Sequence, residues 1–283
     1  MRLLLSGADG FTGVHLTQVA SRAGFEVVPL QAPLEDSAKL HAQVKAVQPT
    51  HVIHLAAISH VMHDDNLAYY QTNLLGSLDL LEALSHLATP PQKVILASSA
   101  NVYGNAEHSP IAESQTPAPV NHYAMSKLAM ELLARNFSTR LPIVTTRSFN
   151  YTGVGHGAHF VIPKIVDHFA RKANVIELGN VDVYREYNDV RDISNIYLSL
   201  LERGQAGQTY NLASGRTHRL RQVIAQLENI TGHSMAIEVN PQLVRKNEIM
   251  MLCGCSQRLE EAIGTVAWRS LNETLQWMLG RAI

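Results

Sequence analysis

Cysteine is nearly absent from this chain: Cys253 and Cys255 are the whole supply in 283 residues. One residue apart, they cannot build a disulfide framework, so a hydrophobic core must hold the fold, and a reduced, intracellular setting is expected. An excess of charge of one sign is missing too. The 23 basic residues balance 24 acidic ones to a formal −1. That excludes the footprint of a nucleic-acid binder or a polybasic membrane surface. Long apolar runs are lacking as well. Leu3-Leu4-Leu5 is broken at once by Ser6-Gly7-Ala8-Asp9-Gly10, far short of a secretory signal core or the ~20 apolar residues of a membrane span. No exit signal is evident, so the cytoplasm is the default location. No low-complexity tract or solenoid repeat is present. What is there is 46% hydrophobic and 17% charged, enough for a sizeable core in one large α/β domain or two joined lobes.

Short apolar runs alternate with amphipathic ones. Arg2–Ser6, Glu26–Leu30, His51–Leu55, Lys93–Ser98 and Pro142–Thr146 read as buried strands, bounded by breakers. Phe11–Ala23, Ser37–Val47, Asp64–Leu87 and Tyr123–Thr139 carry helical spacing. In the third, Leu67, Tyr70, Leu74, Leu78, Leu81 and Leu84 fall on one stripe, a core or dimer surface. This rhythm predicts an α/β fold: a Rossmann-type, doubly wound parallel sheet over residues 1–150. Beyond residue 150 the rhythm changes. Helical patterns at Val161–Lys172, Ile193–Arg203, Leu220–Thr231 and Leu271–Leu279, with strands near Val175–Leu178 and Thr209–Leu212, predict a smaller mixed lobe over 151–283. Whether some of its segments return to the first sheet stays open.

Two stretches carry chemistry. Residues Leu3 to Gly13 spell strand, G-x-x-G-x-x-G, helix. Gly7 permits the tight turn, Gly10 lets backbone approach a pyrophosphate, and Gly13 lets helix pack on strand. The helix start offers free N–H groups and a partial positive charge. Gly7, Asp9, Gly10, Phe11, Thr12 and Gly13 are therefore expected to bind a dinucleotide. The acid that would hold the adenosine ribose belongs about 20 residues on. Val28-Pro29-Leu30-Gln31-Ala32-Pro33 stands there, with neither acid nor arginine, so NAD and NADP remain equal candidates. Glu35 and Asp36 fit the first turn of a helix better.

The second stretch is a pair of segments. Leu96-Ala97-Ser98-Ser99-Ala100-Asn101 ends the fourth strand, and Tyr123-Ala124-Met125-Ser126-Lys127 opens a helix. Residues four apart share a helix face, so Lys127 can lower the Tyr123 pKa by charge proximity. Tyr123 would then trade a proton with a carbonyl or hydroxyl while Ser99 holds the same oxygen.

Glycine loop, Ser-Ser-Ala strand end and Tyr-x-x-x-Lys, in that order, resemble the extended short-chain dehydrogenase/reductase family, which works mainly on nucleotide sugars. The resemblance covers nearly the whole chain. His54-Leu55-Ala56-Ala57 resembles the strand end beside the cofactor, adding Leu55, Ala56, Ala57, Tyr123 and Lys127 to the cofactor contacts. Arg147-Ser148-Phe149-Asn150-Tyr151-Thr152-Gly153 is similar to the R-x-F-N-x-x-G segment, whose asparagine meets the sugar nucleotide in relatives. Arg185 opens a block like R-D-F-x-D-V-R-D and implies a phosphate contact. Within the family, Phe149–Lys164, Gly179–Arg185 and Asn240–Gly254 resemble the GDP-6-deoxy-4-keto-mannose reductases that make GDP-rhamnose. Arg245 would be a second phosphate contact, although Lys246 and Met250 stand where that subfamily has proline.

The implied catalytic set is Ser99, Tyr123 and Lys127; the implied substrate contacts are Ser99, Asn150, Arg185 and Arg245. Family 4,6-dehydratases carry a carboxylate beside the catalytic Ser/Thr, where this chain has Ala100 and Asn101. Neither can act as acid or base, which leaves reduction of a 4-keto-6-deoxy nucleotide sugar or 4-epimerisation. A dinucleotide sensor without turnover is the reading from another class. The family also implies a homodimer through the Asp64–Leu87 and Tyr123 helices. His60-Val61-Met62-His63 and His156-Gly157-Ala158-His159 lack the further ligands of a metal site. No metal is expected, and His60 and His159 fit the sugar pocket.

Overall fold

The computed structural model describes residues 1–59, 65–244 and 248–282. In chain order the elements are β1 (Arg2–Ser6), α1 (Phe11–Arg22), β2 (Glu26–Leu30), α2 (Ser37–Val47), β3 (His51–His54), α3 (Asn66–Tyr70), α4 (Gly76–Ser85), β4 (Lys93–Ser99), α5 (His122–Ala134), β5 (Ile143–Ser148) and β6 (Tyr151–Thr152). Then come α6 (Val161–Ala170), β7 (Val175–Leu178), β8 (Tyr184–Glu186), β9 (Asn188–Asp189), α7 (Val190–Arg203), β10 (Thr209–Leu212), β11 (Thr217–Arg219), α8 (Leu220–Thr231), β12 (Ala236–Val239), β13 (Met251–Leu252), α9 (Gln257–Ile263) and α10 (Leu271–Ala282).

Six parallel strands form the main sheet, in the order β10-β5-β4-β3-β1-β2. Side chains alternate faces along a strand, and here both faces are covered. Leu3 and Leu5 pack under α1, α7 and α9. Leu4 faces the other way, toward α2, α4 and α5. This is why three consecutive leucines are all fully buried. Pro29 lies on β2, the edge strand, where its missing N–H costs no ladder bond. The winding direction reverses between β1 and β3, and ligands of open α/β sheets sit at such a point.

After residue 150 the chain serves both layers. β10 closes the main sheet beside β5, and α7 packs on α1. The rest makes a smaller lobe in which α6, α8 and α10 bury a core with β7. Among the described residues three small sheets accompany it, β11-β8-β13, β12-β7 and β6-β9.

The expected single helix over Asp64–Leu87 is divided. α3 and α4 are joined by a π-helical turn, Gln71–Leu75. Buried Asn73 anchors this turn: it accepts from Ile58 N at 2.8 Å and donates to Ile58 O at 3.2 Å and Ser126 Oγ at 3.0 Å. The wider turn shifts the helical phase, so the leucine stripe splits. Leu81 and Leu84 enter the core, whereas Leu67 is 68% exposed.

Candidate active site

One cleft of about 700 Å³ runs along the carboxyl ends of β1, β3, β4 and β5 and under the smaller lobe. Gly7, Asp9, Gly10, Phe11, Thr12, Gly13, Leu55, Ala56 and Ala57 line one end. Ser99, Tyr123, Lys127 and Asn150 line the middle, and Arg185 the region beyond. Arg245 lies outside the described residues, as do His60 and His63.

The loop end is a tight cradle. Gly7 has φ +67°, and a Cβ there would lie 3.0 Å from Ala56 N. A Cβ on Gly13 would lie 2.0 Å from Gly7 O, which no side chain can occupy. No side chain caps α1 at Gly10, so its first-turn N–H groups are left for a ligand in the cleft. Thr12 Oγ1 and Tyr151 Oη are 2.8 Å apart, tying the start of α1 to β6. These features fit the pyrophosphate of a dinucleotide. Behind them His54, 1% exposed, bridges Ser6 Oγ at 2.6 Å and Ser77 Oγ at 2.9 Å. Ser77 donates its proton to Asn73 O and Ser6 Oγ accepts from Ala56 N. The roles follow: His54 Nε2–H donates to Ser77, and Nδ1 accepts from Ser6. Burial, and Lys127 nearby, hold the His54 pKa down at about 3, so the ring is neutral.

Gln43 of α2 closes the end of β2: its Oε1 accepts from Gln31 N and Ala32 N, and its Nε2 donates to Pro29 O. Asp36 caps α2, accepting from Lys39 N at 3.1 Å. Glu35 accepts from Thr72 Oγ1. These polar groups serve α2 and its neighbours, and none lines the cleft.

In the middle, Asn121 caps α5 by accepting from Ala124 N. Tyr123 and Lys127 therefore sit in the first turns of α5, both buried. Ser99 is close enough to the Tyr123 hydroxyl to oppose, in part, the effect of burial on it. The expected effect of lysine on tyrosine is not what the geometry delivers. Lys127 Nζ donates to Ala97 O at 2.8 Å, and burial pushes the Tyr123 pKa up. Burial also pulls Lys127 down to about 8, against the opposing pull of Glu131. Low-dielectric surroundings disfavour both charged forms. Tyr123 is therefore a protonated donor at neutral pH.

Asn101, to which sequence assigns no role, supports Ser99. Its backbone N–H and side-chain Nδ2 both donate to Ser99 Oγ, at 3.2 and 3.1 Å. That saturates the Ser99 acceptor sites and frees its proton for Tyr123 or a bound oxygen. At the far end Arg185 Nη1 donates to Tyr184 O and Nη2 pairs with Glu248 at 3.2 Å. Glu248 and Lys164 also line the cleft. Both stand in motif stretches that gave no reason to assign them a role.

The H-x-x-H at 156–159 became part of the wall. His156 stacks on Phe11, centroids 4.3 Å apart, and packs at a tilt against Phe160 at 4.1 Å. Burial lowers its pKa to about 4. Among the described residues no group of three or more His, Cys, Asp or Glu side chains could hold a metal.

The family model described as GDP-mannose 4,6 dehydratase matches residues 26–278. The GDP-6-deoxy-D-talose 4-dehydrogenase of Aggregatibacter actinomycetemcomitans is 31% identical, over 93% of this chain and 92% of its own. The GDP-6-deoxy-D-mannose reductase of Pseudomonas aeruginosa is 32% identical, over 98% and 96%. Among solved structures, a putative epimerase from Burkholderia cenocepacia superimposes with TM-score 0.94 at 39% identity, covering 99% of this chain and 97% of that one. The Pseudomonas aeruginosa protein RMD, solved with NADPH, gives 0.90 at 32%, covering 99% and 98%. The chain thus belongs to the GDP-mannose 4,6-dehydratase family, within the extended short-chain dehydrogenase/reductases, NAD(P)-dependent enzymes that modify nucleotide sugars.

Proposed function

We propose that this enzyme reduces the C4 ketone of a 4-keto-6-deoxy nucleotide sugar, GDP-linked, giving GDP-rhamnose or its C4 epimer. One observation carries the choice of reaction. Ser99, Tyr123 and Lys127 converge in a cleft whose described carboxylates are Asp9, in the glycine loop, and Glu248, engaged by Arg185. Water loss needs an acid or base beside the sugar, and Asn101 occupies that place. The GDP-6-deoxy sugars in the names of two relatives support the substrate class.

The bound nicotinamide supplies the hydride. Ser99 donates a hydrogen bond to the C4 oxygen, with Asn101 orienting its hydroxyl. Tyr123, kept protonated by burial, gives its proton to that oxygen as negative charge develops. Lys127 holds positive charge beneath the tyrosine and reaches the nicotinamide ribose. Gly7, Asp9, Gly10, Phe11, Thr12, Gly13, Leu55, Ala56 and Ala57 hold the cofactor, NAD or NADP. Asn150 and Arg185 hold the sugar nucleotide, and Arg245 is assigned to its phosphates from its place in the motif. The working form proposed is a cytoplasmic homodimer. Leu67, Leu75, Met125 and Leu132, exposed on the α3–α5 side, support pairing. Among the described residues no helix is long and apolar enough to cross a membrane.

The test is loss of reduced-nicotinamide absorbance with GDP-4-keto-6-deoxymannose, using NADH and NADPH separately. Stoichiometric oxidation is expected, and Tyr123→Phe should lower turnover by roughly 10²–10⁴ while still binding cofactor. Near-normal turnover in that variant would overturn the assignment. Tightly retained NAD without net oxidation would make the enzyme a 4-epimerase. Cofactor binding with no turnover on any nucleotide sugar would make it a sensor.

A further inference from the structure

α5 carries a third polar side chain on the face that bears Tyr123 and Lys127. Residues four apart lie one above the other on a helix, and the next in that series is Glu131. Its carboxylate is almost completely enclosed, as is the guanidinium opposite, with 5% and 6% of each side chain exposed. Arg147 of β5 grips it with both arms, Nε to Oε1 at 3.0 Å and Nη2 to Oε2 at 2.6 Å. Ser98 of β4 donates its hydroxyl to Oε1 as well.

The strand register explains the convergence. Ser98 pairs with Arg147, and Ser99 with Ser148. Alternation along a strand turns the first pair toward α5 and the second the other way. Ser98 and Arg147 therefore meet Glu131 at the back of the site, while the next residue on β4 is Ser99, which lines the cleft beside Tyr123. A buried carboxylate gripped in this way fixes α5 against β4 and β5 at the height of the reacting groups.

Glu131 is also the negative charge that Lys127 feels. The charged and titratable groups around Lys127 are Tyr123 and Glu131 on α5, His54 on β3, and Arg147 on β5 with Tyr103 beneath it. His54 and Tyr123 are neutral, and the Arg147 guanidinium lies 4.8 Å over the Tyr103 ring. Glu131 alone among them is an anion.

We propose that Glu131, clamped by Arg147 and Ser98, is a positioning residue: it keeps Lys127 protonated during turnover and sets the distance between the Ser99 strand end and Tyr123. This rests on the assignment of Ser99, Tyr123 and Lys127 as the catalytic set. Glu131 touches neither substrate nor cofactor.

Two variants test it. Glu131→Gln keeps an acceptor for Ser98 but removes the charge. It leaves Arg147 without a counter-ion and can fail to fold, so Glu131→Leu/Arg147→Met removes the pair together. Replacing both ions by apolar groups of similar size is commonly tolerated. The measurements are kcat against pH and the Kd for NADPH. In the wild type kcat should fall on the alkaline side near pH 8, where Lys127 loses its proton. In each folded variant that limb should move to lower pH by roughly one unit, with kcat at pH 7 down about tenfold and Kd changed less than about threefold. A purely structural clamp would lower kcat without moving the limb. An unmoved limb in the folded double variant therefore overturns the proposal. If the Tyr123→Phe enzyme kept wild-type turnover, the catalytic assignment beneath it would fail instead.

Discussion

His54 should make the fold sensitive to mild acid, by an amount the structure allows to be worked out. In the folded chain its ring accepts a proton only near pH 3. In the unfolded chain it accepts one near pH 6.5. The folded pKa is the lower of the two, so below pH 6.5 the unfolded state binds more protons. Stability contributed by the neutral ring is intact above pH 6.5 and is lost as pH falls from 6.5 toward 3. The slope is about 1.4 kcal/mol per pH unit, so between pH 7 and pH 4.5 the loss is about 2–3 kcal/mol. The cause is geometric. Nδ1 must stay unprotonated to accept from Ser6, and Ser6 in turn accepts from Ala56 N beside the glycine loop. His54→Gln supplies an amide donor for Ser77 and an oxygen acceptor for Ser6 without a titrating proton. Urea unfolding at pH 7 and pH 4.5 measures both proteins. The wild type should lose about 2–3 kcal/mol more than the variant. Equal losses would refute the reasoning, because His51, His156 and His218, which burial also lowers, are unchanged in both.

Gly13→Ala should abolish measurable NADPH binding by calorimetry, since its methyl group would meet Gly7 O at 2.0 Å and Ala8 Cα at 2.6 Å. Retained affinity would mean that the loop opens more readily than its packing suggests. Asn101→Ala should cut kcat by about tenfold with KM nearly unchanged, because it removes the side-chain donor that orients the Ser99 hydroxyl. A loss confined to KM would place Asn101 on the substrate and not behind Ser99.

Much of the site was legible because its chemistry is written in short motifs. Gly7, Gly10 and Gly13 are spaced by the geometry of one turn, and Tyr123 and Lys127 by one helical step, so local sequence is enough to find them. The remaining parts depend on the exact path of the backbone or on distant segments. Asn101 serves Ser99 only because the chain turns sharply after β4. Glu131 and Arg147 are 16 residues apart and meet only when β5 is laid beside α5. The leucine stripe is split for the same reason. Periodicity assumes a uniform helix, whereas Asn73 draws the backbone into a π turn to reach Ile58 and Ser126.

The sequence by itself determined the parallel sheet, the tight glycine turn and the polar groups that meet in the cleft. These follow from residue-by-residue preferences: consecutive buried leucines, glycines where no Cβ fits, and a tyrosine and lysine one helical step apart. Only the tertiary structure decided their protonation and their partners. Burial, not the neighbouring lysine, governs the Tyr123 proton; Gln43 seals the end of β2 where an acid was sought; and β10 returns to complete the first sheet. The physical reason is that desolvation and hydrogen bonding depend on what surrounds a group in space, and those neighbours come from segments that sequence order does not bring together.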